Sequence, residues 1–463
     1  MKTRTETDSI GSLEVDEKAY YGVQTLRAHL NFPITGQKMS PSFLYHLALI
    51  KKAAAITNCE AGKLSESKRD AILEACDEVL AGKFQDQFIV DPIQGGAGTS
   101  ANMNMNEVLA NRTNEILGGE RGKYNFVHPN DDVNMSQSTN DVIPTAGKMT
   151  TLALLDPFEK ELTRLIQALR EKEKEFSHVL KMGRTQLQDA VPMTMGETFS
   201  SYASSMERGL KRIETASLEL TKINLGGTAI GTGINASSYY RRHIAKNLSS
   251  LYGKELTIAD NLFDATENLD SFVEVSGSLK ALAVSLDKLA NDLRLLSSGP
   301  RTGLHELNLP PKQNGSSIMP GKVNPVIPEV VNQVCFLVIG HDQTITLAAS
   351  EGQMELNAFE PVLFFQLFES ITCLTHAIQT FVDNCITGIT VNKKHCFELE
   401  QGSVGIVTAL VPTLGYVKSA EIAKRALKEN KTVKEILLAE HLMKESDIDK
   451  ALNPEALAEE EDK

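Results

Sequence analysis

The segment SFVEVSGSLKALAVSLDKLANDLRLL, residues 271–296, carries the clearest structural signal in the chain. Its large apolar residues are separated by alternating steps of three and four residues. This heptad pattern, sustained for more than three repeats, is typical of a long helix packed in a bundle. The helix is predicted to end at the Gly299–Pro300 breaker. The apolar positions are Phe272, Val275, Leu279, Leu282, Leu286, Leu289, Leu293 and Leu296.

Three further segments, 155–176, 202–223 and 356–385, have the same helical spacing of apolar residues. We therefore predict a mostly α-helical protein built around long helices. Residues 359–368 are apolar around most of a helix circumference, which indicates burial by neighbours on several sides. An oligomer explains this pattern best, and a large monomeric core is the alternative.

These patterns divide the chain of 463 residues into three predicted domains. Residues 1–139 form an N-terminal mixed, mainly helical domain, and residues 140–394 form the central helix bundle. Residues 395–463 form a small C-terminal helical domain. The acidic end of this domain, 455–463, is predicted to be a solvated tail.

Composition excludes several classes of function. The chain has 47 Lys and Arg against 60 Asp and Glu, a net charge of −13, which argues against nucleic acid or an anionic membrane as partner. It contains no apolar run typical of a signal peptide or membrane span, so we expect a cytoplasmic protein. The six cysteines form no C-x-x-C pair, and no metal-ligand or dinucleotide motif is present. We therefore expect neither a metal nor an organic cofactor.

Four short segments rich in hydroxyl and amide side chains stand beside Gly or Pro, and each leads into a helical pattern. Singly, each is typical of an ordinary helix N-cap. Together they predict several helix N-termini converging on a carboxylate, because such termini present free N–H groups and partial positive charge. The fourth segment adds a cation, Lys322, between glycines that allow a loop to move. The segments are 95–107, 136–144, 183–192 and 315–329.

The fourth segment contains GSSIMPGKVNP, residues 315–325, which resembles the signature of the aspartase/fumarase superfamily. Other blocks resemble that superfamily in order along nearly the whole chain, and the aspartases within it more than the fumarases. These blocks are YYGVQTLRAHLNFPITG (20–36), DPIQGGAGTSANMNMNEVLANR (91–112), SQSTND (136–141), KMGRTQLQDAVP (181–192), GTAIGTG (227–233), NDLRLLSSGPR (291–301) and KVNPVIPEVVNQVCFLVIG (322–340).

The resemblance implies a mostly α, three-domain fold whose central long-helix bundle forms the core of a homotetramer. Each active site would be built from three subunits. The implied reaction is the reversible elimination of ammonia from L-aspartate to give fumarate, through an enediolate intermediate and without an organic cofactor.

The resemblance also implies a role for each site residue. Ser316 would be the base that takes the C3 proton. Asp141 and Glu329 stand close to these loops in the sequence, and from that position we expect them to orient the loops rather than act in catalysis. The β-carboxylate would be held by Thr99, Ser138, Thr139 and Ser317, the α-carboxylate by Lys322 and Asn324, and the amino group by Asn140, Thr185 and Gln186.

Two alternatives stay open. A class II fumarate hydratase is one of them, because His128-Pro129-Asn130-Asp131 resembles a secondary dicarboxylate site of fumarases, although a Pro-Asn-Asp turn leading into a helix is the preferred interpretation of this segment. Fumarases and some aspartases have His where this chain has Gln186, and a glutamine cannot transfer a proton to a leaving group, which points away from fumarase. A non-catalytic scaffold of the same fold is the other alternative, although Ser316 and Lys322 are both present.

Overall fold

The computed structural model describes residues 2–451, and most of them are helical. The helices are α1 (Val23–Asn31), α2 (Pro41–Glu60), α3 (Glu66–Leu80), α4 (Thr99–Ile116), α5 (Thr139–Glu175), α6 (Met195–Ser217), α7 (Ser238–Tyr252), α8 (Asp264–Glu267), α9 (Asp270–Leu296), α10 (Val326–Ser350), α11 (Glu360–Asn384), α12 (Lys393–Gly402), α13 (Val411–Glu429), α14 (Val433–Ala439) and α15 (Glu445–Ala451). The strands are β1 (Thr3–Asp8), β2 (Gly11–Asp16), β3 (Leu180–Thr185), β4 (Gln188–Thr194), β5 (Lys222–Ile223), β6 (Thr257–Ile258), β7 (Leu307–Asn308) and β8 (Thr390–Val391).

The strands form four two-stranded sheets. Strands β1 and β2 pair antiparallel, as do β3 with β4 and β7 with β8, whereas β5 and β6 pair parallel. The fold is therefore mostly α, as predicted, with small sheets between helices.

Helix α9 contains the heptad segment and ends at Leu296, directly before the predicted breaker. All eight apolar positions of the heptad pattern are buried, none with more than 8% of its surface exposed. The prediction of a long core helix at this place is confirmed.

The chain divides into two compact units by its internal contacts. The first comprises Met1–Phe158, Lys211–Ala281 and Leu337–Leu374, and the second comprises Glu159–Leu210, Leu282–Phe336 and Thr375–Lys463. Helices α5, α9, α10 and α11 each contribute residues to both units. The division into three domains with boundaries at 139 and 394 stays a prediction, and its predicted tail at 455–463 lies outside the described residues.

The apolar segment of α11 is largely covered by the chain itself. Leu363, Phe364, Leu367 and Phe368 are all buried, and the Phe364 ring lies 5.1 Å from the ring of Phe272. The alternative of a core within one chain therefore accounts for most of this segment, and the segment alone gives no evidence for an oligomer.

Helix α10 presents a different surface. Val330, Phe336, Leu337 and Leu347 remain exposed, although they lie on a helix whose opposite side is buried. The steps between them are six, one and ten residues, which places them on one side of the helix. An exposed apolar face of this kind is typical of an interaction surface.

Two helical stretches, Glu360–Gly388 and Val404–Glu429, are long and apolar enough to cross a membrane by length and composition alone. Half of the apolar window in the first is buried inside the structure, as it is in the core helices of soluble proteins. These stretches are weak evidence for a membrane span.

A buried histidine makes the stability of the fold depend on pH. His46 in α2 lies against Thr150, with 2.9 Å between Nδ1 and Oγ1, and burial lowers its pKa from 6.5 to about 4. Between these values the unfolded chain binds a proton that the folded chain does not, so acid favours unfolding. We expect this group to lower the free energy of unfolding by at most about 1.4 kcal/mol for each pH unit below 6.5.

Urea unfolding at pH 6.5 and at pH 5 measures this effect. His46→Gln should lose that share of the pH dependence, whereas substitution of the exposed His178 should retain it. An equal pH dependence in wild type and His46→Gln would contradict the prediction.

Candidate active site

Two helix N-termini meet in the first unit. Thr99 is the first residue of α4 and Thr139 is the first residue of α5. The Asn102 amide donates a hydrogen bond to the Thr139 hydroxyl at 3.2 Å, which joins the two termini. Gly98 precedes α4 with φ 84°, and a Cβ there would lie 2.9 Å from Ile143, so the approach requires glycine. Two of the predicted polar segments thus come together at helix termini.

The Asp141 side chain holds the backbone at the start of α5 by hydrogen bonds. This fully buried carboxylate accepts hydrogen bonds from the backbone N–H groups of Ser138 (2.9 Å), Gly226 (2.9 Å) and Thr228 (3.0 Å). Burial raises the pKa of Asp141 to about 6, and the three N–H groups oppose that rise. The glycine-rich segment 226–233, in which the sequence shows no dinucleotide motif, therefore packs against the start of α5.

The side chain of Asn140 has a defined orientation. Its amide nitrogen donates to the Ala229 carbonyl at 2.7 Å, so the opposite end of the amide is the carbonyl oxygen. A free carbonyl oxygen accepts hydrogen bonds, which suits an ammonium group rather than a carboxylate.

Lys51 contacts Asn102 on the buried side of this cluster. It was not predicted from the sequence as part of the site. It is fully buried, and its Nζ donates to the side-chain oxygens of Asn102 (2.7 Å), Asn134 (2.9 Å) and Gln137 (2.9 Å). Burial lowers its pKa to about 7. The available signal was the pair Lys51-Lys52 inside the helical run 47–56, whose other residues are all apolar, as in a helix buried on several sides.

Thr185 and Gln186 lie at the exposed tip of the β3–β4 hairpin, in the second unit. The prediction that segment 183–192 forms a helix N-terminus is wrong: the segment lies in the hairpin, and α6 begins only after β4, at Met195. Gln186 and Leu187 form the two-residue turn with φ of 53° and 64°. Both values belong to the left-handed region, which matches a type I′ hairpin turn.

Strain in this turn gives a testable prediction. A non-glycine residue in the left-handed region costs about 1 kcal/mol, and Leu187 is 70% exposed, so its side chain contributes little packing there. We expect Leu187→Gly to stabilise the protein by about 1 kcal/mol, measured by chemical denaturation. Leu187→Ala, which removes the side chain but keeps the strain, should give no gain. A stabilisation of equal size in both variants would contradict the explanation.

The loop with the signature sequence, residues 315–325, lies in the second unit. Hydrogen bonds between residues of the loop itself maintain its conformation. Gly315 N–H donates to the Lys322 carbonyl at 2.8 Å, and the Asn324 amide donates to the Gly315 carbonyl at 2.7 Å. A Cβ on Gly315 would lie 2.5 Å from the Lys322 carbonyl oxygen, so only glycine fits. Ile318 is 83% exposed at the tip of the loop.

Ser316 forms a side-chain turn within this loop. Its Oγ accepts hydrogen bonds from two backbone N–H groups, those of Ile318 (3.2 Å) and Met319 (3.0 Å). Donors directed at an oxygen stabilise its charged form and thereby favour ionisation.

The candidate residues thus form three groups, all exposed or half-buried and open to a ligand. In the first unit the Asn140 N–H donates to Ser138 Oγ and Asn102 donates to Thr139, whereas the Thr99 hydroxyl donates to the Gly96 carbonyl. The hairpin tip and the signature loop both belong to the second unit, and within residues 2–451 no hydrogen bond or ion pair joins them. No cluster of three or more His, Cys, Asp or Glu suited to a metal ion occurs in that described range. The residues of the groups are Thr99, Ser138, Thr139 and Asn140; Thr185 and Gln186; and Ser316, Ser317, Lys322 and Asn324.

Comparison with known proteins relates nearly the whole chain to one family. A family model described as lyase matches residues 11–340, and one described as fumarase C C-terminus matches residues 406–459. Aspartate ammonia-lyase of Helicobacter pylori is 51% identical over 454 residues, covering 98% of this chain and 97% of its own length. The Bacillus subtilis aspartate ammonia-lyase is 48% identical over 451 residues, covering 97% and 95%.

Two solved structures share the fold. A fumarate lyase:delta crystallin from Brucella melitensis, solved bound to cobalt, has a TM-score of 0.96 and 48% identity, covering 99% of this chain and 100% of its own. The class II fumarase of Schistosoma mansoni has a TM-score of 0.95 and 36% identity, covering 99% of both chains. This chain therefore belongs to the aspartate ammonia-lyase family of the aspartase/fumarase superfamily.

Proposed function

We propose that this protein is a carbon–nitrogen lyase that converts L-aspartate reversibly to fumarate and ammonia, without an organic cofactor or a catalytic metal. The observation that carries the proposal is the match to aspartate ammonia-lyases over 98% of the chain at 51% identity, against 36% for the class II fumarase. The chemistry of the candidate residues supports it.

The first unit offers donors for the β-carboxylate. The Thr139 hydroxyl accepts from Asn102, and Ser138 Oγ accepts from the Asn140 N–H at 3.3 Å, so each hydroxyl proton is available to a substrate oxygen. Thr99 donates its hydroxyl to the Gly96 carbonyl at 2.7 Å and must rotate to reach a ligand. Together with Ser317 and the N-termini of α4 and α5, these groups would stabilise the second negative charge of the enediolate.

The α-carboxylate of the substrate needs hydrogen-bond donors or a cation, whereas its amino group, protonated as an ammonium, needs hydrogen-bond acceptors. Lys322 would supply a cation, and the second amide hydrogen of Asn324 a donor, for the α-carboxylate. Asn140 would turn its free carbonyl oxygen to the amino group. Thr185 and Gln186 would complete that part of the site. A neutral glutamine fits ammonia, a leaving group that needs no additional acid when it departs from an ammonium substrate.

Ser316 would remove the C3 proton. A serine hydroxyl is too weakly acidic to act as a base unless its oxyanion is stabilised, and the N–H groups of Ile318 and Met319 are directed at that oxygen. The electron pair of the C–H bond would pass into the β-carboxylate, and loss of ammonia from C2 would follow.

We propose a cytoplasmic homotetramer, each of whose active sites takes residues from three subunits. Support comes from the exposed apolar face of α10, at Val330, Phe336, Leu337 and Leu347. A second copy of the chain is the partner that this face fits. Light scattering coupled to gel filtration tests the subunit number.

Fumarate hydratase activity is the second candidate, because His128-Pro129-Asn130-Asp131 resembles a fumarase segment. In the structure the His128 ring nitrogen accepts from the N–H groups of Asn130 and Asp131, both at 3.3 Å. A cap on the helical turn Pro129–Val133 therefore accounts for this histidine.

One assay separates the candidates. The absorbance of fumarate is followed with L-aspartate or with L-malate as the only substrate. We expect product from aspartate alone. Product from malate but not from aspartate would indicate a fumarase, and product from neither would indicate a non-catalytic scaffold.

A further inference from the structure

Asn102 joins the buried Lys51 to Thr139. Its carbonyl oxygen accepts from Lys51 Nζ at 2.7 Å, and its amide nitrogen donates to Thr139 Oγ1 at 3.2 Å. Only 1% of Asn102 and none of Lys51 is exposed to solvent. The two buried side chains form a hydrogen-bonded chain that ends at the Thr139 hydroxyl, a candidate substrate-binding group.

The direction of each hydrogen bond in this connection is determined. The Asn102 amide nitrogen has two acceptors, Thr139 Oγ1 and Asn134 Oδ1, both at 3.2 Å, so its carbonyl end faces Lys51, whose ammonium form can only donate. Lys51 cannot turn away, because its other two hydrogens are directed at the oxygens of Asn134 and Gln137. The amide of Asn102 is therefore locked in one orientation.

This orientation determines what Thr139 offers to a ligand. A hydroxyl that accepts from Asn102 does not direct its own proton toward that amide. Thr139 is the first residue of α5, and its neighbour Ser138 is likewise half-buried and open to a ligand. The proton of Thr139 is consequently free for an acceptor at the helix terminus, and a carboxylate is such an acceptor.

We propose that Asn102, held by Lys51, is a positioning residue that directs the Thr139 hydroxyl proton toward the β-carboxylate of the substrate. The inference rests on the proposed function, which assigns that carboxylate to Thr139. Asn102 would not touch substrate and would act only through Thr139. Two other groups affect the buried ammonium electrostatically, Asp141 and the Cys76 thiol, and neither contacts Thr139 by a hydrogen bond in the described part of the chain.

The isosteric substitution Asn102→Asp tests the proposal by reversing the hydrogen bond to Thr139, and it also removes the donor that the Asn102 amide gives to Asn134 Oδ1 at 3.2 Å. The new carboxylate keeps its contact with the Lys51 ammonium, but its second oxygen can only accept, so the Thr139 proton turns inward. We expect kcat/KM for aspartate to fall about ten- to a hundredfold, the loss of one donor to a charged group. Circular dichroism and the thermal midpoint should match the wild type, because the buried ammonium accommodates the charge.

A double-mutant cycle separates positioning from a general effect of charge. With Thr139→Val as background, Asn102→Asp should lower kcat/KM by less than about threefold, because no hydroxyl remains to be turned. Asn106→Asp is the matched control: Asn106 is fully buried one helical turn away on α4 and donates to Asn134 rather than to Thr139. We expect that variant to retain nearly normal kcat/KM.

Each contrary outcome is informative. Wild-type kinetics in Asn102→Asp, or a fall of the same size in the Thr139→Val background, would overturn the positioning role while leaving the proposed function intact. An insoluble Asn102→Asp variant would also overturn it, since Lys51 would then fail to accommodate the carboxylate. A wild-type protein that neither converts aspartate nor binds succinate in a calorimeter would overturn the proposed function and this inference together.

Discussion

Ser316→Ala is expected to lower kcat for aspartate by about a thousandfold while KM changes little, because it removes the proposed base and no substrate-binding group. The substitution deletes only Oγ. The contacts from Gly315 to Lys322 and from Asn324 to Gly315 do not involve the serine side chain, and water can replace Oγ at the exposed Ile318 and Met319 N–H groups. The loop should therefore keep its structure, and the loss should be chemical.

The division between kcat and KM decides the role of this serine. If Ser316 were one more donor to substrate, its removal would raise KM and lower kcat only modestly. Ser317→Ala, one position away, is the matched control, and we expect about a tenfold loss because several donors share the β-carboxylate. Steady-state kinetics of both variants, with succinate binding as a check on the site, make the comparison. Near-normal turnover by Ser316→Ala would exclude it as the base.

The long helices could be predicted from sequence because burial of one stripe forces a period near 3.6 residues. In α9 every predicted apolar position is buried. The same reasoning failed at α11, where Leu356 and Phe359 extend the apolar pattern but precede the helix, which begins at Glu360. The spacing of apolar residues reports the buried side of a segment and carries little information about its ends.

The hairpin could not be predicted in the same way. Its turn residues, Gln186 and Leu187, are not those that a type I′ turn favours, so the usual Asn-Gly signal is missing. Strand β3 is buried at Lys181, Met182 and Gly183 in succession, which hides the alternation of an amphipathic strand. The hairpin lies at a candidate site, and at functional sites the residues often depart from the conformational preferences of the local sequence.

The polar residues of the site could be identified but not placed. Hydroxyls and amides beside glycine marked the segments, yet nothing in the sequence indicated that Asn102 contacts Thr139 or that Lys51 lies beneath both. Such contacts join residues 37 and 51 positions apart, and they arise from the packing of α2, α4 and α5. Local patterns carry no information about partners at that separation.

Glu306→Gln is expected to destabilise the protein by about 3 kcal/mol, because it leaves the buried Lys181 and the half-buried Arg184 without a counter-charge. Glu306 is 1% exposed, and its carboxylate lies 2.5 Å from Arg184 Nη1 and 3.4 Å from Lys181 Nζ. Neither carboxylate oxygen accepts a well-aligned hydrogen bond from the described residues, so the attraction is ionic. A glutamine at position 306 keeps the shape of the side chain and removes its negative charge. Thermal and urea unfolding measure the loss.

Two further variants separate the buried cluster from an ordinary ion pair. Glu398→Gln removes the acid of an exposed pair, Lys394–Glu398 at 3.7 Å, and should cost less than about 0.5 kcal/mol. Adding Lys181→Met to Glu306→Gln removes one of the unpaired cations and should recover part of the stability. Equal effects of Glu306→Gln and Glu398→Gln would show that the buried carboxylate does not hold the hairpin.

The same substitution should also reduce activity at temperatures where the protein stays folded. Arg184 is two residues before the turn at Gln186 and Leu187, whose positive φ values persist only while the surroundings hold them. Without the ionic anchor the turn can relax, and Thr185 and Gln186 would no longer be held in the position proposed for binding the amino group. We therefore expect kcat/KM for aspartate to fall at least about tenfold at 25 °C. Normal kinetics in a Glu306→Gln enzyme that is less stable than the wild type would show that the hairpin has no role in catalysis.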